Sequence, residues 1–221
     1  MIHGRRSTVD QTASQPISGV LVSDVSHALE HHTATGLDSR KVAIWTFIGS
    51  ECMFFASLIG TYLVYHGKSL SGPTAGETLE IPLVTAGTAV LLFSSFFVVM
   101  ALNGAQRGNR RSLLFWLSAT VLAGLSFVGM QIYEFTHFVH EGLTIKTNLF
   151  GATFFTLTGF HGTHVSIGVL WLATLLVLAF RGKITPDKAL NLEIAALYWH
   201  FVDVVWVVIF PVVYLMKDWK P

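Results

Sequence analysis

Glu51, Glu134, His137, His161, His164, His200 and Asp203 are the residues of this 221-residue chain least in keeping with their surroundings, because each falls inside a long apolar run. A charged side chain near the centre of a bilayer costs at least a few kcal/mol, so such groups must be paired, protonated or close to water. His161 with His164, His200 with Asp203, and Glu134 with His137 are each three residues apart, a spacing that puts both members on one helix face. Three chemistries suit this set. Imidazoles and carboxylates between membrane helices ligate iron, copper or zinc, and His161, His164 and His200 with Glu51 offer enough donors for one ion. A buried carboxylate can instead act as a protonatable station, because burial favours its neutral form. The third option is that these groups satisfy one another as hydrogen-bonded glue between helices.

The elements that must position them are membrane spans. A bilayer core is about 30 Å thick and a helix rises about 1.5 Å per residue, so about 20 apolar residues suffice to cross it. Five runs qualify, at about 42–65, 82–102, 113–138, 150–180 and 195–216, parted by polar segments such as HGKSLSGPTAGETLE, NGAQRGNRR and RGKITPDK. The expected fold is therefore all-α, a bundle of five transmembrane helices, preceded by a polar tail over residues 1–41. That tail holds no apolar stretch of signal-peptide length, so it is expected to stay on the cytoplasmic side uncleaved. Its His27, His31 and His32 read as part of a solvated terminus rather than a metal site.

Charge placement predicts the orientation. Arg5, Arg6, Arg40, Lys41, Arg107, Arg110, Arg111, Arg181, Lys183 and Lys188 fall on the amino-terminal side of the spans, against Lys68, Lys146, Lys217 and Lys220 on the other. Cytoplasmic loops carry the excess of basic residues, so the amino terminus is expected inside and the carboxyl terminus outside. Tyr62, Tyr65, Trp116, Tyr133, Trp199 and Trp219 are expected near span ends, where amphipathic rings favour the interface. Thr158, Gly162 and Ser166, and more briefly Ala56 and Gly60, form small-residue stripes suited to close helix packing.

Counting rise from the span ends sets the depth of each polar group. Glu51 lies about 14 Å, His200 about 8 Å and Asp203 about 12 Å from the inner face; His161 and His164, on a helix running the other way, lie about 14 and 9 Å from it. These five are expected to form one interhelical cluster, with Glu134 and His137 as a separate polar pair near the outer side.

Composition narrows the function. Hydrophobic residues make up 52% of the chain and charged residues 12%, where a soluble domain carries about a quarter charged. This excludes a soluble enzyme or a disordered segment. A net charge of +1 offers no basic surface for nucleic acid. The single cysteine, Cys52, cannot build a disulfide or a CxxC metal knuckle. No internal repeat or matched pair of Pro-broken half-helices points to a secondary transporter. No redox centre is expected in this chain: a cysteine-based copper or iron–sulfur site cannot be assembled, and no pair of histidines has the helix context of haem ligands.

Four segments together carry a resemblance: GSECMFFASLIGTYLVY around Glu51, MQIYEF around Glu134, GFHGTHVSIGVLW around His161 and His164, and YWHFVDVVWVVIFPVVYLM around His200 and Asp203. In this order, one in each of four helices, they resemble subunit III of the haem-copper respiratory oxidases from about Arg40 to Met216. The resemblance implies an accessory subunit that holds no haem or copper, those cofactors residing in partner subunits. It packs beside the catalytic subunit I, with subunit II and a subunit IV or a larger respiratory supercomplex as further partners. It also implies support of sustained turnover and of proton uptake into subunit I, and phospholipid bound between helices. The family's carbodiimide-reactive buried glutamate falls on Glu51. Mitochondrial-type members have seven helices, with a cleft between the first two and the remaining five; this chain matches the short five-helix bacterial form, so lipid in that cleft does not carry over directly. SGPTAGETLEIP and MQIYEF are similar in style to quinol oxidases, while YWHFVDVVW is closer to cytochrome c oxidases, which are the favoured reading.

The expectation that follows is a non-redox subunit of a proton-pumping terminal oxidase in the bacterial inner membrane, with Glu51 neutral at pH 7 and hydrogen-bonded in the polar layer. The rivals are an independent membrane metalloenzyme built on Glu51, His161, His164 and His200, and a stand-alone proton or ion channel.

Overall fold

A computed structural model describes residues 38–68 and 81–216, apart from the side chain of residue 187. The tail histidines and Trp219 lie outside the described residues. The chain divides into two compact units, Met1–Val42 and Ala43–Pro221. In the first, Asp38 starts the first helix: its carboxylate accepts from the Arg40 N–H at 2.9 Å and its carbonyl from Lys41 N–H, satisfying donors that every helix amino terminus leaves open.

Among the described residues five helices are long and apolar enough to cross a membrane: α1 Ser39–Tyr65, α2 Ile81–Gln106, α3 Arg110–His140, α4 Leu149–Phe180, and α5 Ala189–Phe210 extended by a π turn, Pro211–Leu215. The helices run a few residues past the apolar runs, most of all in α5. Its sequence polarity (Asn191, Glu193) suggests a start at Ala195, yet the helix begins six residues earlier, behind a 3₁₀ turn over Pro186–Lys188. At the other end, Pro211 supplies no backbone N–H, and the chain widens there into a π turn.

The link between α2 and α3 is the tightest. Gly108 adopts φ 67°, so Asn109 N–H can reach back to the Gly104 carbonyl at 2.9 Å, ending α2 with a left-handed cap. Asn109 then caps α3 by accepting from Ser112 N–H at 3.2 Å. A Cβ at Gly104 would lie 2.8 Å from the Leu113 nitrogen, so glycine is what lets these two helices meet at their join. On the same side of the bundle Arg110 donates to the Phe180 carbonyl at the end of α4, at 2.6 Å, a favourable use of a cation at a helix carboxyl terminus.

Packing centres on Trp199 of α5. Its indole is fully buried, fits against Gly124 of α3 and Gly168 of α4, where any Cβ would lie within 3 Å of the ring, and donates to Ser94 Oγ of α2 at 2.9 Å. Three helices thus close on one side chain. About two turns further along the same face of α5, Trp206 donates to Thr88 Oγ1 of α2 at 2.9 Å and meets Phe127 of α3 edge-on. Both hydroxyls also donate to carbonyls in their own helix, Ser94 to Leu91 and Thr88 to Val84. Each therefore presents a lone pair to the indole and leaves nothing unsatisfied. Trp199, read from sequence as an interfacial ring, is instead a central one, and Tyr62 is likewise buried.

The small-residue stripes divide. On α4, Gly162 accommodates the Gln131 side chain, which donates to the Thr158 carbonyl at 2.8 Å. On α1, Ala56 is exposed and, among the described residues, nothing lies within 4 Å of a Cβ built at Gly60.

Candidate functional site

The seven ionisable residues resolve into separate small groups, and the single five-membered cluster expected from depth is not formed. Glu51 of α1 meets His164 of α4, with Oε2 and Nε2 3.3 Å apart and both side chains largely buried. The other ring nitrogen, His164 Nδ1, lies 2.8 Å from the Phe160 carbonyl. A carbonyl only accepts, so Nδ1 carries a proton and donates. Nε2 faces the Glu51 carboxyl group within ion-pair distance, so the contact carries charge when the imidazole is protonated.

Aromatic rings surround this contact. Phe55 stands edge-on to His164 at 5.0 Å, Phe54 meets Phe160 at 5.2 Å, and Phe47 stacks on Tyr198 of α5 at 6.2 Å. Tyr198 also donates to the His164 carbonyl at 3.0 Å. These rings are apolar, and an apolar surround strengthens the electrostatic link between the two groups.

His200 and Asp203 form a second group through a residue that sequence reasoning overlooked. Ser95 of α2 hydrogen-bonds both Asp203 Oδ2 and, at 3.0 Å, His200 Nδ1. Asp203 is buried, while Ser95 and His200 are half-buried. The available signal was the Ser94–Ser95 pair in the middle of an otherwise apolar span.

His161 joins neither group. It is fully buried, stacked on Trp206 at 4.8 Å with Phe127 and Phe55 at its edges, and its ring nitrogens have no hydrogen-bond partner among the described residues. A neutral imidazole enclosed by rings is the form this environment tolerates, because an unpaired charge there would be far more costly than an unpaired dipole.

Glu134 and His137 do not pair with each other in this structure. The buried Glu134 accepts from Tyr214 of the π turn at 2.9 Å. His137 turns outward, 3.8 Å from Glu141. Glu134 therefore needs more explanation than its place near a span end suggests: it fastens the carboxyl-terminal end of α5 to α3, and the π turn brings Tyr214 within reach.

Among the described residues no three His, Cys, Asp or Glu side chains converge as ligands for a metal. The donor set of the metalloenzyme reading, Glu51, His161, His164 and His200, is divided among three environments, because each histidine is turned to a different neighbour.

Five apolar helices whose ionisable groups are distributed over small, separate polar contacts define a polytopic membrane protein. Comparison with known proteins makes this specific. The family model for cytochrome c oxidase subunit III matches residues 20–218. The chain is 42% identical over 178 residues to "Cytochrome c oxidase subunit 3" of Bacillus sp. (strain PS3), covering 80% of this chain and 86% of that one. It is 39% identical over 188 residues to "Quinol oxidase subunit 3" of Bacillus subtilis (strain 168), covering 85% and 92%. It is 36% identical over 193 residues to "Cytochrome bo(3) ubiquinol oxidase subunit 3" of Pseudomonas aeruginosa, covering 87% and 92%. The chain belongs to the subunit III family of the haem-copper oxidases, as a multi-pass protein of the bacterial plasma membrane. A subunit III is one part of a multi-subunit oxidase, so this chain works alongside other oxidase subunits.

Proposed function

We propose that this chain keeps the catalytic subunit of a proton-pumping terminal oxidase active through repeated turnovers and aids its proton uptake, and that Glu51 is the residue most directly engaged. The observation that supports this reading is the Glu51–His164 contact at 3.3 Å. It is a carboxylate–imidazole pair that joins α4 to α1, the helix with the smallest buried share of its span. The partners are subunits I and II, which hold the haem and copper, with a subunit IV or a larger supercomplex as further company and phospholipid in the helix grooves. The amino terminus lies inside, following the basic residues. The electron donor is cytochrome c, as the YWHFVDVVW segment suggests; relatives named for quinol oxidases support the alternative of a quinol donor.

The test is Glu51→Ala in the assembled oxidase. Subunit stoichiometry stays at wild type, initial oxygen consumption is nearly unchanged, and activity decays faster during sustained turnover. Decay at the wild-type rate with the subunit still bound would reduce Glu51 to packing. Oxygen-consumption assays with reduced cytochrome c and with quinol decide the donor.

A further inference from the structure

We propose that Ser95, His200 and Asp203 form a second proton-exchanging chain, separate from Glu51, in which the serine hydroxyl passes a proton between the buried carboxyl group and the half-exposed imidazole. The geometry fixes how the hydrogens are arranged. Asp203 is buried, and its Oδ1 has no hydrogen-bond partner among the described residues. An ionised carboxylate would leave uncompensated charge on that oxygen inside the hydrocarbon layer. A neutral acid leaves only a carbonyl oxygen unpaired, the least costly of buried orphans. Its proton therefore sits on Oδ2, the oxygen bonded to Ser95.

Ser95 has one proton to give. Accepting from Asp203, it donates to His200 Nδ1, which places the imidazole's own proton on Nε2. Moving two protons by one bond each converts this arrangement into its alternative. The Asp203 Oδ2–H bond breaks and a new O–H bond forms at Ser95; the original Ser95 O–H bond breaks and an N–H bond forms at His200 Nδ1. A carboxylate and an imidazolium result, and net charge is unchanged. Loss of the Nε2 proton from the imidazolium then delivers one proton to the surface of the bundle, and uptake reverses the sequence. His200 and Asp203 lie three apart on one face of α5, and the link between them passes through Ser95 on α2.

The neighbours leave this chain isolated. α2 has no ionisable side chain along its length. On α4, His161 is held against Trp206 and His164 is engaged with Glu51. On α3, Glu134 is engaged with Tyr214. None of these hydrogen-bonds to Ser95, His200 or Asp203 among the described residues.

The test uses the full chain in lipid bilayers. Asp203 is the one aspartate inside a span, so infrared spectra of protein with carbon-13-labelled aspartate isolate it at neutral pH, where solvated aspartates are ionised. A carboxylic acid C=O stretch is expected at pH 7. It should vanish in Asp203→Asn, shift to higher wavenumber with slower hydrogen–deuterium exchange in Ser95→Ala, and return to wild-type position and exchange in Ser95→Thr. Nitrogen-15 NMR should find His200 as the Nε2–H tautomer, with that preference lost in Ser95→Ala. Only a carboxylate signal at neutral pH, an Nδ1–H tautomer, or a C=O band and exchange rate indifferent to Ser95→Ala would each overturn the proposal. None of these outcomes depends on Glu51 or on oxidase activity, so they do not bear on the turnover reading.

Discussion

The four helices α2 to α5 and the helix α1 are all apolar enough to cross a membrane, yet they are held in different ways. Between α2 and α5 the contacts are specific: two buried indoles donate to back-bonded hydroxyls, and glycines are cut to the shape of Trp199. α1 meets the bundle through aromatic contacts of Phe47, Phe54, Phe55 and Tyr62 and one carboxylate–imidazole contact. Only 17% of its most apolar window is buried, against 56% for the last helix. In a membrane, apolar surface alone gives helices little reason to associate, since lipid tails are as apolar as leucine. Close fit and hydrogen bonds decide, and they are concentrated in the inner four. Glu51, the α1 member of the polar pair, is consequently placed where its loss is expected to harm the fold less than loss of Trp199.

Substitutions can break or sharpen this contrast, and the inner bundle should respond most. Trp199→Ala removes a buried indole shared by three helices and is expected to cost about 3–5 kcal/mol, read as a large drop in the midpoint of detergent-induced unfolding. Gly168→Leu forces a side chain into the Trp199 ring, at about 1–3 kcal/mol, and the same titration would register it. Trp206→Phe keeps a ring against His161 and Phe127 but gives up the donor to Thr88, for about 1 kcal/mol or less. On α1, Gly60→Ala should change the unfolding midpoint by less than about 0.5 kcal/mol, since its Cβ meets nothing within 4 Å among the described residues. An α1 substitution as damaging as Trp199→Ala would remove the distinction between the two regions.

Five spans were legible because bilayer thickness imposes a length that any apolar run either reaches or does not. The α5 boundary was less so: Glu193 looks like a loop residue by hydropathy, yet it lies in the helix's opening turns. The polar residues were legible as a set, because charge in an apolar run stands out. Their partners were not. Depth along an axis constrains one coordinate, while pairing depends on how each helix is turned about its own axis. That rotation is set by features such as Gly124 and Gly168 receiving Trp199, and sequence reading placed that residue at the interface. Ser95 escaped notice because a serine in a span usually just bonds back to its own helix, as its neighbour Ser94 does.

The most direct test of the account is a double-substitution cycle on Glu51 and His164, scored as the rate at which the assembled oxidase loses oxygen-reducing activity during continuous turnover at constant subunit III content. If the contact between these groups supports turnover, Glu51→Ala, His164→Ala and the double variant will all inactivate at the same accelerated rate. Rates that add, or single variants that last as long as the wild type, would contradict it.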